Sequence, residues 1–116
     1  MSLKIQTRET ADATILELSG RITLGEGLGD LRDSIREALS GDRKNIILNL
    51  ADVSYIDSSG LGQLIGSYAT VTDRGGKMKL VNLQKKVSDL MQITKLLTVF
   101  ETYNSESAAM ASFAGK

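Results

Sequence analysis

The chain has 116 residues, enough for one domain over residues 1–116 that buries about two-thirds of the surface of its unfolded form. Lys plus Arg number 14 and Asp plus Glu 14, a formal net charge of zero, which argues against a basic nucleic-acid binder or a polybasic membrane-surface protein. Aromatic residues are only 4%, too few for a platform that stacks bases.

Cysteine is absent, so disulfides, thiolate metal sites and thiol nucleophiles are excluded. Histidine is absent too, which removes the commonest general base, the commonest metal ligand and any serine–histidine triad. No apolar run approaches the roughly 20 residues of a membrane span, and the N-terminus carries no signal-peptide core. The expectation is a cytoplasmic chain without metal or cofactor, not an enzyme.

Leu3, Ile5 and Thr7 alternate with Lys4, Gln6 and Arg8, the period of a half-buried strand. After a turn at Asp12-Ala13, Thr14 to Leu18 supplies a second strand that stops at Ser19-Gly20, and the short connection predicts an antiparallel hairpin. From Leu28 the period becomes helical, with Leu28, Leu31, Ile35, Ala38 and Leu39 on one face and Gly41 as the stop. Asn45 to Leu50 reads as a strand covered on both faces. Ala51 to Asp57 reads as a connection to a second helix with a core stripe of Leu61, Leu64, Ile65 and Tyr68.

Gly75-Gly76 ends that helix, and Lys77 to Leu83 forms the next strand. Its lysines, with Lys85 and Lys86, are expected to point to solvent, and Tyr55 and Tyr68 to pack in the core or at its rim. Val87, Leu90, Met91 and Thr94 mark a third helix, Val99 to Tyr103 an edge strand, and Ala108 to Phe113 a weakly docked terminal helix. The order is β β α β α β α β α. It predicts an α/β fold: a mixed, mostly parallel sheet of about five strands, opened by an antiparallel hairpin and packed against about four helices.

Asp57-Ser58-Ser59-Gly60-Leu61-Gly62 stands between a buried strand and a helix, where function collects in open α/β sheets. Ser58 or Ser59 falls at the N-cap or first turn, beside unpaired N–H groups and the positive end of the helix dipole. On the local pattern alone a plain cap is the favoured explanation, since Ser and Asp are preferred there. Gly62 and Gly66 fall with Gln63 and Thr70 on the flank and outer side, and each interior glycine costs about 1 kcal/mol relative to alanine. Such a cost fits a close approach to the backbone, made by a neighbouring segment of the chain or by a partner.

At these residues the chain resembles the anti-sigma factor antagonists of the STAS domain family. The resemblance rests on Val53-Ser54-Tyr55-Ile56-Asp57-Ser58-Ser59-Gly60-Leu61-Gly62, supported by Leu18 to Ile22, Ile47 to Leu50, Gly75-Gly76 before Leu80 to Leu83, and Leu90 to Leu97. It implies partner switching. The unphosphorylated antagonist binds an anti-sigma factor that is a serine-protein kinase, freeing the sigma factor. Phosphorylation of the serine after the motif aspartate switches it off, and a metal-dependent serine phosphatase restores it. By position the phosphoacceptor is Ser58, with Ser59 as fallback. The partner-facing residues are Asp57, Ser58, Ser59, Gly60, Gly62, Gln63, Gly66 and Thr23, the last standing where several relatives carry aspartate. A monomer or weak dimer is expected, with no nucleic-acid or membrane partner.

Other readings use the same residues. The chain could serve as a STAS scaffold or signalling subunit in another kinase-regulated complex, or as a nucleotide-binding STAS module. A P-loop is absent, and Gly25-Glu26-Gly27 is too short a phosphate signal. Ser58 does not lie in Gly-x-Ser-x-Gly. A receiver domain phosphorylated on Asp57 lacks its usual acidic pair, because Glu9 and Asp12 are separated and the last strand offers Glu101 where a lysine is expected.

Overall fold

A computed structural model describes residues 3–41 and 44–114. Strands β1 (Lys4–Glu9) and β2 (Thr14–Ile22) pair antiparallel, from Lys4 opposite Ser19 to Glu9 opposite Thr14. The turn between them is held by Thr10, whose hydroxyl donates to the Ala13 carbonyl at 2.9 Å and accepts from the Ala13 N–H at 3.1 Å. The chain continues through α1 (Glu26–Ala38), β3 (Asn45–Ile56), α2 (Ser58–Asp73), β4 (Lys77–Val81) and α3 (Lys85–Ile93). A short 3-10 turn leads to β5 (Glu101–Tyr103) and α4 (Glu106–Ala114).

The five strands lie side by side in sequence order, and every pairing after the first is parallel. Each crossover therefore steps the same way across the sheet, and right-handed connections put α1, α2 and α3 on one face. That face holds the main core, where Leu16, Leu18, Ile46, Leu48 and Leu80 meet Leu31, Ile35, Leu64, Val71, Val87 and Met91. Tyr68 joins its edge and meets Phe100 edge-on, with ring centroids 5.5 Å apart. The same rule leaves the opposite face bare, and α4 covers it by packing Ala109, Met110 and Phe113 on Ala13, Ile15, Ile47 and Val81. The uninterrupted apolar run of β3 is thus buried on both sides, as its composition predicts.

Several sequence expectations are corrected. Both β2 and β3 are longer than their apolar runs. β2 passes Ser19-Gly20 by means of register shifts and a positive φ of 111° at Gly20, and Ala51–Ile56 pairs with that extension as strand, not as a connection. β1 is an exposed edge in which only Ile5 is partly buried, so Thr7 faces solvent rather than the core. Lys79 is not a solvated lysine: it is 3% exposed beneath α4. Its Nζ donates to Ser112 Oγ at 2.6 Å, pairs with Glu101 at 2.8 Å and lies 4.5 Å from the Phe113 ring centroid.

The docking of α4 is correspondingly firmer than its small apolar residues imply. Glu106 accepts from Arg8 at 2.7 and 2.8 Å and from Asn49 Nδ2 at 2.7 Å. Burial works to raise the Glu106 pKa, but the hydrogen bonds from Arg8 and Asn49 outweigh it and hold the carboxyl below its ordinary value. The edge strand β5 begins at Glu101, two residues later than the sequence predicts, because Phe100 turns into the core.

Candidate functional site

The site forms where β3 gives way to α2, at the carboxyl end of the parallel strands. Asp57, and neither serine, is the N-cap, with the extended backbone (φ −96°, ψ −177°) of a capping residue. Its Oδ1 accepts from the Gly60 N–H at 2.8 Å, and its carbonyl accepts the first helical bond from Leu61 at 2.9 Å. Its second carboxylate oxygen leaves the helix and accepts from the Leu24 N–H at 3.0 Å, while the Asp57 N–H donates to the Ile22 carbonyl at 3.2 Å. One residue therefore starts the helix and pins the loop after β2. The hydrogen bonds from Gly60 and Leu24 hold the Asp57 carboxyl below its usual pKa.

With the cap assigned to Asp57, Ser58 and Ser59 occupy the first two helical positions. Ser58 is exposed and Ser59 half-buried, and neither hydroxyl has a hydrogen-bond partner among the described residues. The glycines of α2 separate by function. A Cβ on Gly60 would overlap the carbonyl oxygen of Ile22 and approach the side chains of Ile22 and Ile56 at 2.9 Å. Gly60 therefore serves the packing of α2 on the strand ends. Gly62 and Gly66 have nothing within 4 Å of the same position, so no described part of the chain explains them.

Beside that bare strip, Gln63 is half-buried and its amide nitrogen donates to Ser67 Oγ at 3.1 Å. Thr70 donates back to the Gly66 carbonyl at 3.0 Å. Thr23 is half-buried in the loop that Asp57 holds. The structure gathers Asp57, Ser58, Ser59, Gly60 and Thr23 at one end of α2; Gly66 lies about 12 Å further along the axis at 1.5 Å per residue.

The sequence reading missed the apolar side chains around this end. Leu24 is 77% exposed on the pinned loop, and Ile65, expected in the core, is 42% exposed beside Gly62 and Gly66. Ser67 and Val71 take the buried positions instead. Tyr55 lies at the rim, with the Arg21 guanidinium 5.2 Å from its ring centroid. A heptad-wide stripe was too coarse to separate Ile65 from Leu64, but its neighbourhood of two glycines was a usable signal.

Among the described residues, no group of three or more acidic or other metal-ligating side chains could hold a metal ion. No helix is long and apolar enough to cross a membrane, again among the described residues.

Comparison with known proteins agrees with the architecture. The STAS domain model matches residues 4–109. An anti-sigma F factor antagonist of Paenibacillus polymyxa is 29% identical over 112 residues, covering 95% of this chain and 94% of the relative. Among solved structures, the anti-sigma factor antagonist SpoIIAA in its unphosphorylated form superposes with a TM-score of 0.75 at 22% identity, covering 97% of this chain and all (100%) of the other. The Bacillus cell fate determinant SpoIIAA in its phosphorylated form gives 0.72 at 22% identity, covering 94% and 98%. A sheet of five strands in sequence order, three helices on one face, a fourth on the other and a model match across nearly the whole length place this chain in the STAS domain family.

Proposed function

We propose that this protein is an anti-sigma factor antagonist whose binding surface is the start and outer side of α2, gated by phosphorylation of Ser58. The observation that carries the reading is the exposed, unbonded Ser58 hydroxyl at the first helical position, beside a strip of backbone left bare by Gly62 and Gly66. The unmodified face takes an anti-sigma factor that is itself a serine kinase, and a metal-dependent phosphatase reverses the modification. The names of the relatives support the first half of this reading. That a protein of this fold has been described in a phosphorylated form supports the second.

Physical chemistry favours Ser58 over Ser59, because a kinase must reach the oxygen and only Ser58 is exposed. A phosphate there adds about −1.5 to −2 charges at the positive end of the helix dipole, where the antagonist tolerates it. The effect falls on the interface. Burying a charge without its partner costs about 2–5 kcal/mol, roughly a thirty- to several-thousand-fold loss of affinity.

The test is incubation with a panel of anti-sigma serine kinases and ATP, followed by mapping of the phosphate by mass spectrometry. Modification at Ser58 with release of the kinase is expected. Phosphate confined to residues other than Ser58 and Ser59, or a phosphorylated chain that still holds its kinase, would overturn the reading.

A further inference from the structure

The last two residues of β3 and α3 enclose a second feature that the switch does not use. It is a cleft of about 390 Å³, within the range of small-molecule sites. Its floor is Ile56, Val87 and Leu90, and its lips are Tyr55 and Ile93. Ile93 is 78% exposed, so two of the chain's exposed large apolar side chains border one hollow. A well-packed surface helix ends with its apolar residues covered; α3 ends with this one standing free.

The charges around the hollow are lopsided. Asp89, at its edge, is engaged by Lys85 at 2.9 Å. Lys86 also lines the cleft, and among the described residues it has no carboxylate partner. An apolar trough with an unneutralised cation at its rim complements an apolar body that carries an anionic head.

We propose that this cleft is a binding site for a small amphiphilic anion, an aliphatic carboxylate by chemical class, with its chain along Ile56, Val87, Leu90 and Ile93 and its head group at Lys86. The site stands apart from the phosphorylation reading, and its test needs no kinase.

Sodium decanoate, kept below its micelle concentration, is the probe for a titration of the isotope-labelled protein followed by amide NMR. The expected result is saturable one-site binding that shifts the amides of Tyr55, Leu90 and Ile93. Lys86→Gln should weaken it about fivefold, the worth of one half-exposed ion pair. Ile93→Asn should weaken it about tenfold through lost apolar contact. Both side chains are exposed, so both variants keep the fold, which their far-ultraviolet spectra and Tm check. Decyltrimethylammonium, with the same chain and the opposite charge, should not saturate. The proposal is overturned by an absence of saturation, by equal binding of the cationic probe, or by shifts that map elsewhere. It is also overturned if a protein partner shifts these amides while decanoate does not, which would make the cleft a protein contact.

Discussion

Asp57 holds the backbone of Leu24 from thirty-three residues away, with Oδ2 3.0 Å from the Leu24 N–H and Oδ1 committed to Gly60. The start of α2 and the loop after β2 are in consequence one mechanical unit, and the most exposed leucine of the site is displayed by the residue that caps the helix bearing Ser58. Asp57→Asn keeps one acceptor oxygen and should keep the helix start while loosening the loop. Amide exchange at Leu24 should rise more than exchange at Gly60. Equal changes at the two amides would mean that they are not held through separate oxygens.

The same residue gives a pH dependence. Its carboxyl is held below the usual value of about 3.9, so between that value and its folded pKa the unfolded chain binds more protons than the folded one. The stability it contributes is therefore fully present above about pH 4 and is lost as the pH falls through the folded pKa. Acid unfolding of the wild type should be steeper in that window than that of Asp57→Asn, which cannot titrate. Parallel curves would remove Asp57 from the account.

The glycines of α2 should separate cleanly by substitution. Gly60→Ala should be severely destabilising or fail to fold, because the Ile22 carbonyl already fills the space. Gly62→Ala meets nothing within 4 Å and should raise stability by about 0.5–1 kcal/mol. Gly62→Arg should fold as well as the wild type and bind the kinase partner poorly. Thermal denaturation and a binding titration check both halves.

Ser58→Asp places a negative charge at the first turn of α2, where the dipole favours it, so Tm should hold or rise slightly. Partner affinity should drop by at least about tenfold, less than for a full phosphate because the charge is smaller and the acceptor oxygens fewer. Ser58→Ala should bind the partner and resist inactivation. Normal phosphorylation of Ser58→Ala would shift the acceptor to Ser59.

The Arg8–Glu106 pair bridges β1 to α4, and its side chains are partly exposed. Arg8→Ala should speed amide exchange in α4 up to about fivefold while leaving β3 protected, since such a pair is worth at most about 1 kcal/mol. High salt should mimic the substitution in the wild type. Uniform loss of protection across the sheet would show that α4 and the core open together.

Much of the fold could be read from period alone. The run Ile46-Ile47-Leu48 announced a strand covered twice, and the order of strands and helices led to the topology. Lys79 shows where that reading ends. Strand alternation puts it on the face opposite Met78 and Leu80, but whether that face meets water depends on α4, whose small residues carry almost no amphipathic signal. The extension of β3 through Ala51, Asp52 and Ser54 was invisible for a related reason: these residues have little strand preference, and pairing with the shifted end of β2 supplies what propensity does not. At the site, the motif Asp57 to Gly62 was legible and the roles within it were not. Which of three adjacent polar residues caps, and which of two glycines is packed, depends on Ile22 and Leu24, more than thirty positions upstream.

The uncovered ribbon formed by Gly62 and Gly66 has an evolutionary corollary. Whatever lies along it touches peptide, which is common to every sequence, and gains closeness without identity. On the proposed reading, discrimination between rival partners would then reside at the margins, in Thr23, Leu24, Gln63 and Ile65, so relatives answering to different signals would diverge at these positions and keep the two glycines between them.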